Sequence, residues 1–268
     1  MKIFKNILIW VFIIAYIAVA MSFVKEQRTK ILCHDIRVEI LDSLRNGFIS
    51  VSDIEDFFHE ADMNVIGAPV VTINTKDLEK KLKQYASIKN AEVFVTLNGD
   101  IRVEIDQRNP IVRVINKRRQ SYYIDEECNI MPLSSKYSSH VLVANGHIVE
   151  HFELNRTQKI PCENSDNNDD ENWQKNHLIC DLYQLSKFIY DDDFWRVQIE
   201  QVYVNNEYEF ELIPRVGSHI IYFGSIENYE TKLRNLRAFY LQGLNKVGWN
   251  NYEKISLKFD NQVICTKR

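Results

Sequence analysis

Ala91-Glu92-Val93-Phe94-Val95-Thr96-Leu97-Asn98-Gly99-Asp100-Ile101-Arg102-Val103-Glu104-Ile105 is the stretch whose reading decides the fold of the front half of this chain. Val93, Val95 and Leu97 recur with the period of two that marks a half-buried strand, and Ile101, Val103 and Ile105 do so again against Arg102 and Glu104. Asn98-Gly99 between them predicts a type I′ hairpin, because that turn needs positive φ at both central positions. Working back from the hairpin, Asn74 with Asp77 three places on opens a helix whose inner face is Leu78, Leu82 and Tyr85. Val70, Val71 and Ile73 read as a short extended piece, preceded by a break at Gly67-Ala68-Pro69. Ser52-Asp53-Ile54-Glu55 predicts a capping box for a first helix carrying Ile54, Phe57, Phe58 and Ala61 on one side. Ile36, Val38 and Ile40 alternate with Arg37 and Glu39, a first strand. The order strand, helix, helix, strand, strand predicts a small α+β unit over residues 36–109, with both helices on one face of a three-stranded sheet.

Further out lies Ile7–Val24, eighteen residues without a charge, proline or glycine. As a helix it spans about 27 Å, close to the hydrocarbon thickness of a bilayer. We read residues 7–24 as a transmembrane helix with a six-residue cytoplasmic tail, 1–6, and a polar linker over 25–35. A cleaved signal peptide is the rival reading, since Ala18-Val19-Ala20 has small residues at cleavage-site spacing. Against it, the apolar run continues through Met21, Phe23 and Val24. Either way the residues after about 25 are expected outside the cytoplasm.

Downstream, Asn109-Pro110 punctuates the chain and its character changes. Short strands are expected at 111–115, 121–125, 130–133 and 141–144, then at 198–204, 208–213, 219–223 and 255–258, with a last run over 259–266. Leu178, Leu182, Leu185 and Ile189 mark one helix, ending at Asp191-Asp192-Asp193; Tyr229, Leu233, Leu236, Tyr240 and Leu244 mark another, stopped at Gly248. Residues 156–177 are polar and acidic, too poor in apolar side chains to order, and are read as a disordered surface loop. The expected class is therefore α+β: one N-terminal transmembrane helix, the small unit, and over 110–268 a mostly antiparallel β domain with two helices.

Setting aside Lys2 and Lys5 of the tail leaves 31 basic residues against 37 acidic ones, net −6, which argues against a nucleic-acid or anionic-membrane surface. Five scattered cysteines do not make a disulfide framework, so free thiols are expected, with a Cys162–Cys180 bridge around the polar loop as the alternative. His147 and His151 are four apart, but Gly146 and the surrounding β pattern make them solvent-facing loop residues rather than a helical metal pair. His177, Cys180 and Cys162 offer three potential ligands where zinc usually takes four at tighter spacing. Arg108 and Arg113 flank Pro110 and are expected to pair with carboxylates. No nucleophile elbow or phosphate-cradling loop appears, so no enzyme and no cofactor are expected. At the far end Ile255, Leu257 and Phe259 alternate with Lys254, Ser256 and Lys258. A terminal strand readily becomes an edge open to an added strand, although its lysines equally suit an ordinary blunted edge.

The ordered set of motifs resembles a known family over essentially the whole chain. Asn74…Leu78-Glu79…Leu82…Ile88…Ala91-Glu92-Val93 is similar to the second helix and following strand of a POTRA domain, and Gly99-Asp100-Ile101-Arg102-Val103…Gln107-Arg108-Asn109-Pro110-Ile111-Val112-Arg113-Val114 to its hairpin and junction. Tyr123-Ile124-Asp125…Met131-Pro132-Leu133-Ser134 and Tyr229…Leu233…Leu236…Phe239-Tyr240…Gly243-Leu244…Gly248-Trp249…Ile255-Ser256-Leu257-Lys258-Phe259 resemble the β domain of the bacterial cell-division family FtsQ/DivIB, the latter in its Bacteroides-type members. Two departures are Cys128, where a turn glycine is usual, and the acidic 156–177 segment. The resemblance implies a POTRA domain over 36–109 and a non-catalytic scaffold of the septal cell-wall machinery, held in the inner membrane with its outer domains in the periplasm. It implies that Lys258, Phe259, Asp260, Asn261, Gln262 and Val263 receive an FtsB-like (DivIC-like) partner by strand addition, with an FtsL-like protein alongside and other division proteins recruited through the POTRA domain. The alternatives are a POTRA-bearing protein of outer-membrane barrel assembly or secretion, which would carry tandem units ahead of a barrel, and a membrane-anchored metal-dependent enzyme using the Cys/His group.

Overall fold

The computed structural model describes residues 9–19, 31–42, 46–60, 65–153, 158–162, 171–259 and 262–268, with side chains of 171–177 left aside. Residues 9–19 form helix α1, with Trp10 and Phe12 exposed. Among the described residues no helix is long and apolar enough to cross a membrane; the rest of the expected span, 7–8 and 20–24, and the tail 1–6 lie outside them. The chain divides into two compact units, Met1–Gln107 and Arg108–Arg268.

In the first unit, β1 (Ile36–Ile40) lies parallel to β3 (Ile101–Gln107), and β2 (Ile88–Val95) lies antiparallel on the other side of β3. The registers Val38↔Val103↔Val93 and Ile40↔Ile105↔Ala91 align the apolar positions on one face. That face meets α2 (Val51–Glu60) and α3 (Thr75–Leu82), whose Ile54, Phe57, Phe58, Leu78 and Leu82 are buried. Each such side chain is worth about 1.5–3 kcal/mol on burial, so the amphipathic period alone holds the layers together. The opposite face carries Arg37, Glu39 and Arg102, the last pairing with Glu39 and Glu104. The layout matches the expected α+β unit.

Three local details differ from the sequence reading. The capping box sits two residues earlier: Asp53 Oδ2 accepts from the Ser50 amide at 2.8 Å and from its hydroxyl at 2.7 Å, and the helix begins at Val51. The shift turns Ile54, Phe57 and Phe58 inward while Ser52 and Glu55 stay exposed. Val70–Thr72 is a turn of 3-10 helix, not extended. The hairpin is not type I′, because Gly99 alone takes positive φ (94°), while Gly99 N–H donates to Thr96 O and Thr96 N–H to Asp100 O. This is a three-residue loop closed by a left-handed glycine. A Cβ at Gly99 would stand 2.6 Å from Ile31 Cγ2, so only glycine admits the strap of residues 31–33, whose Cys33 amide bonds to Ala68 O.

The second unit is one ten-stranded sheet. Its strands are β4 (Pro110–Ile115), β5 (Ser121–Asp125), β6 (Asn129–Pro132), β7 (Leu142–Gly146), β8 (Gln158–Lys159), β9 (Ile199–Val204), β10 (Phe210–Pro214), β11 (Ile220–Gly224), β12 (Tyr252–Ser256) and β13 (Ile264–Lys267). Their spatial order is β13-β12-β11-β10-β9-β7-β4-β5-β6-β8. Pairings β4–β7, β7–β9 and β11–β12 are parallel and the other six antiparallel, a mostly antiparallel sheet as expected. Val112, Val114, Ala144, Val202, Leu212, Phe223 and Ile255 form a buried stripe beneath α4 (Glu171–Asp191) and α6 (Tyr229–Phe239), which contribute Leu182, Leu185, Ile189, Leu233 and Leu236. α6 continues as a π-helical turn, Tyr240–Leu244, that keeps Tyr240 and Leu244 buried.

Here the structure adds an element and corrects two readings. Asp192 does not simply end α4: its carboxylate accepts from the Phe194 and Trp195 amides and starts α5 (Asp193–Gln198), which buries Trp195. The segment read as a disordered loop over 156–177 contains order. Gln158–Lys159 pairs with β6, Ile160 is buried, and the α4 backbone begins at Glu171; residues 156–157 and 163–170 lie outside the described residues. One apolar residue, Ile160, suffices because strand pairing supplies its backbone partners. Cys162 and Cys180 are not free thiols but a disulfide, their Cα atoms 5.4 Å apart, since β8 carries residue 162 back against α4.

Candidate functional site

The C-terminal edge of the large sheet is built from alternating apolar residues. Ile255 and Leu257 point into the core, β12 lies parallel to β11 in the register Ile221↔Ile255, and β13 folds back antiparallel through Ser256↔Ile264 and Ile255↔Cys265. Among the described residues β13 has a neighbour on one side only. Arg268 N–H donates to Asn251 O, so the next residue inward, Lys267, stands at a non-bonded position of the ladder. The bulge lies in β12, between Tyr252 and Lys254, and adds no residue to β13, so the ladder alternation turns the N–H and C=O groups of Cys265 and Lys267 to the open side.

The sequence reading placed a strand over 255–258 and a last run over 259–266; the structure puts Lys258, Phe259, Gln262 and Val263 in the connection between β12 and β13. Gln262 N–H donates to Phe259 O across that turn, and Asp260 and Asn261 lie outside the described residues. Lys258 Nζ binds Glu209 Oε2 at 2.6 Å, and this hydrogen bond holds the ammonium pKa above its ordinary value. Phe259 is 57% exposed, Gln262 is exposed, and Val263 rests against the core. Phe259, Gln262 and Leu257 face Asn228, which precedes α6, and Thr231 and Asn235 of α6 across a cavity of about 280 Å³. Asn228 adopts φ 54°, a left-handed conformation its short side chain tolerates, and so sets the start of α6 beside the turn. The arrangement can accept an extended peptide along β13 and a side chain beside Phe259; among the described residues it brings no nucleophile–base pair together.

Beneath this edge lies a polar pair that sequence reasoning missed. His219 Nε2 and the Tyr240 hydroxyl are 2.8 Å apart in the core, with Trp249 edge-on to Tyr240. Burial pushes the His219 pKa down and the Tyr240 pKa up. The available signal was weak: His219 opens an apolar strand at a position that alternates inward with Ile221 and Phe223.

The other candidates separate. His147 packs edge-on against Tyr208 with Lys117 Nζ 3.5 Å from its ring nitrogen, and His151 is exposed. Cys162 and Cys180 are consumed by their disulfide, and the side chain of His177 lies outside the described residues. Among the described residues no group of three His, Cys, Asp or Glu side chains gathers to hold a metal. Arg108 does pair with carboxylates, Asp125 at 2.8 Å and Glu127 at 3.6 Å, whereas Arg113 donates to Ser121 Oγ.

Compared with known families, residues 109–266 match the model described as FtsQ/DivIB, C-terminal related, and residues 31–106 match that of the POTRA-like domain. No curated protein matches the chain.

Proposed function

This chain belongs to the FtsQ/DivIB family, whose domains imply a role in cell division, and on that premise we propose that it is a divisome scaffold working by strand addition at β13. The partner contributes an extended segment that bonds to the outward groups of Cys265 and Lys267. A side chain of that segment settles beside Phe259, within the connection formed by Lys258, Phe259, Asp260, Asn261, Gln262 and Val263. The partner class is an FtsB-like (DivIC-like) membrane protein with an FtsL-like protein alongside, and the POTRA-like unit serves as a second recruitment surface. Residues 7–24 anchor the chain in the inner membrane with residues 1–6 cytoplasmic and the folded units periplasmic; the uninterrupted apolar run supports this. The observation that carries the reading is β13 itself: a terminal, exposed strand with outward backbone donors and acceptors, beside an exposed aromatic ring.

Lys267→Pro tests it. Proline removes the outward N–H at an edge position where it breaks no internal bond. The expected result is a chain folded by circular dichroism that no longer recovers the FtsB-like protein from membranes. Undiminished recovery by Lys267→Pro and by deletion of Ile264–Arg268 would move the docking surface elsewhere.

A further inference from the structure

Three of the five cysteines meet at the opposite end of the large sheet. Cys162 and Cys180 form the disulfide, and Cys128 keeps a free thiol whose Sγ lies 3.5 Å from Cys162 Sγ. The approach is built into the backbone. Cys128 occupies the β5–β6 turn with φ 64°, and its carbonyl accepts from the Ile160 amide at 2.9 Å, two residues before Cys162. The short strand β8, paired to β6 at Asn129 and Ile130, holds the strap that carries Cys162 in the same place. The strap thus sits between two sulfur partners, one on α4 and one on the turn.

We propose that Cys128, Cys162 and Cys180 form a thiol–disulfide exchange site, in which the bridge on Cys162 passes between Cys180 and Cys128. The Cys128 thiolate attacks Cys162 Sγ; the 128–162 sulfur–sulfur bond forms as the 162–180 bond breaks. The electron pair of the broken bond leaves on Cys180, which takes up the proton that Cys128 lost. Atoms and electrons balance within the three residues, so no external oxidant or reductant is consumed. The exchange unfastens α4 from the strap and fastens the strap to the turn it already bonds, a covalent change in how one helix is tied to the sheet.

The setting also determines the rate. Burial first, then the Asp125 carboxylate, pushes the Cys128 pKa up to about 12, with Lys159 acting the other way. From α4, Tyr183 packs over the same turn, donating to Glu126 O at 2.8 Å, and its own pKa is raised by burial and by the charges of Cys128 and Asp125. At neutral pH the attacking thiolate is therefore scarce and exchange is slow; below the thiol pKa it accelerates about tenfold for each unit by which the pH rises.

The purified full chain tests this without mutation. It is held at pH 7 or pH 9, quenched in acid, labelled with N-ethylmaleimide and digested without reductant for mass spectrometry. The expected result is a Cys128–Cys162 peptide pair that grows faster at pH 9, with equal labelling of Cys180, both abolished by Cys128→Ser. In Cys180→Ser, oxidised glutathione is expected to join Cys128 to Cys162 and protect both from label. The proposal is overturned if wild type yields the Cys162–Cys180 pair alone at both pH values, or if exchange recruits Cys33 or Cys265 as often as Cys128. It is equally overturned if Cys128 and Cys162 stay labelled in an oxidised, folded Cys180→Ser chain.

Discussion

The ten-stranded sheet ends differently on its two sides. At one end β8 is two residues long, its strap buries Ile160, and a disulfide ties that strap to α4. At the other, β13 is four residues long with Ile264, Thr266 and Lys267 exposed and no covalent tie. Every open sheet must end somewhere, and an end offers unpaired backbone groups to any passing strand. A strand of two residues beneath a covalent strap offers almost nothing to pair with; one of four residues offers a short ladder. The difference teaches that this fold ties one edge down covalently and leaves the other open.

Four changes break or sharpen that contrast. Cys162→Ser removes the strap's tie at the closed edge, a loop of 18 residues in sequence separation, and is expected to lower stability by about 3 kcal/mol in denaturant unfolding while leaving partner recovery intact. Tyr240→Phe strips His219 Nε2 of its partner beneath the open edge and should cost about 2 kcal/mol by the same measurement. Lys267→Pro should do the converse of the cysteine change: recovery of the partner falls at least about tenfold, roughly 1.4 kcal/mol of binding, with an unfolding midpoint close to wild type. Glu150→Gln is the smallest. Glu150 is buried near the Tyr122 hydroxyl, and burial outweighs the backbone amides of Glu150 and Val149 in raising its pKa, so the glutamine should raise stability at pH 7 by about 1 kcal/mol.

Titration separates the same regions. The folded-state pKa of His219 is lowered by burial from an ordinary 6.5, so its contribution is present above that value and is lost as pH falls below it. Glu150 is raised by burial from an ordinary 4.5, so its contribution is complete below that value and is lost as pH rises through the folded pKa. Stability measured from pH 8 to pH 4 should therefore lose its downward step below pH 6.5 in a His219→Gln chain. Glu150→Gln should remove an upward step at lower pH, and if either variant leaves the profile unchanged the corresponding group is not the one titrating.

The amino-acid sequence by itself determined the strands and their faces. Alternation at Ile101, Val103 and Ile105, or at Val202 and Val204, is a property of adjacent residues, and the one apolar face it makes must be covered. The i, i+3, i+7 spacing of Leu182, Leu185 and Ile189 did the same for α4, and Asn74 caps α3 through the Asp77 amide as its type dictates. Where two local signals competed, the tertiary structure chose. Ser50 and not Ser52 caps α2, because only that register buries Ile54, Phe57 and Phe58 together. Strand order, the Cys162–Cys180 tie and the identity of the open edge rest on residues far apart in sequence. Asn129 meets Lys159 and Ile255 meets Cys265 only after the loops between them close, and that cost is repaid by the assembled core rather than by any local preference. The connection between Ser256 and Ile264 shows the limit: the alternation of Ile255, Leu257 and Phe259 reads as a strand running on, but the chain must reverse for β13 to pair with β12, and that pairing is decided by the sheet.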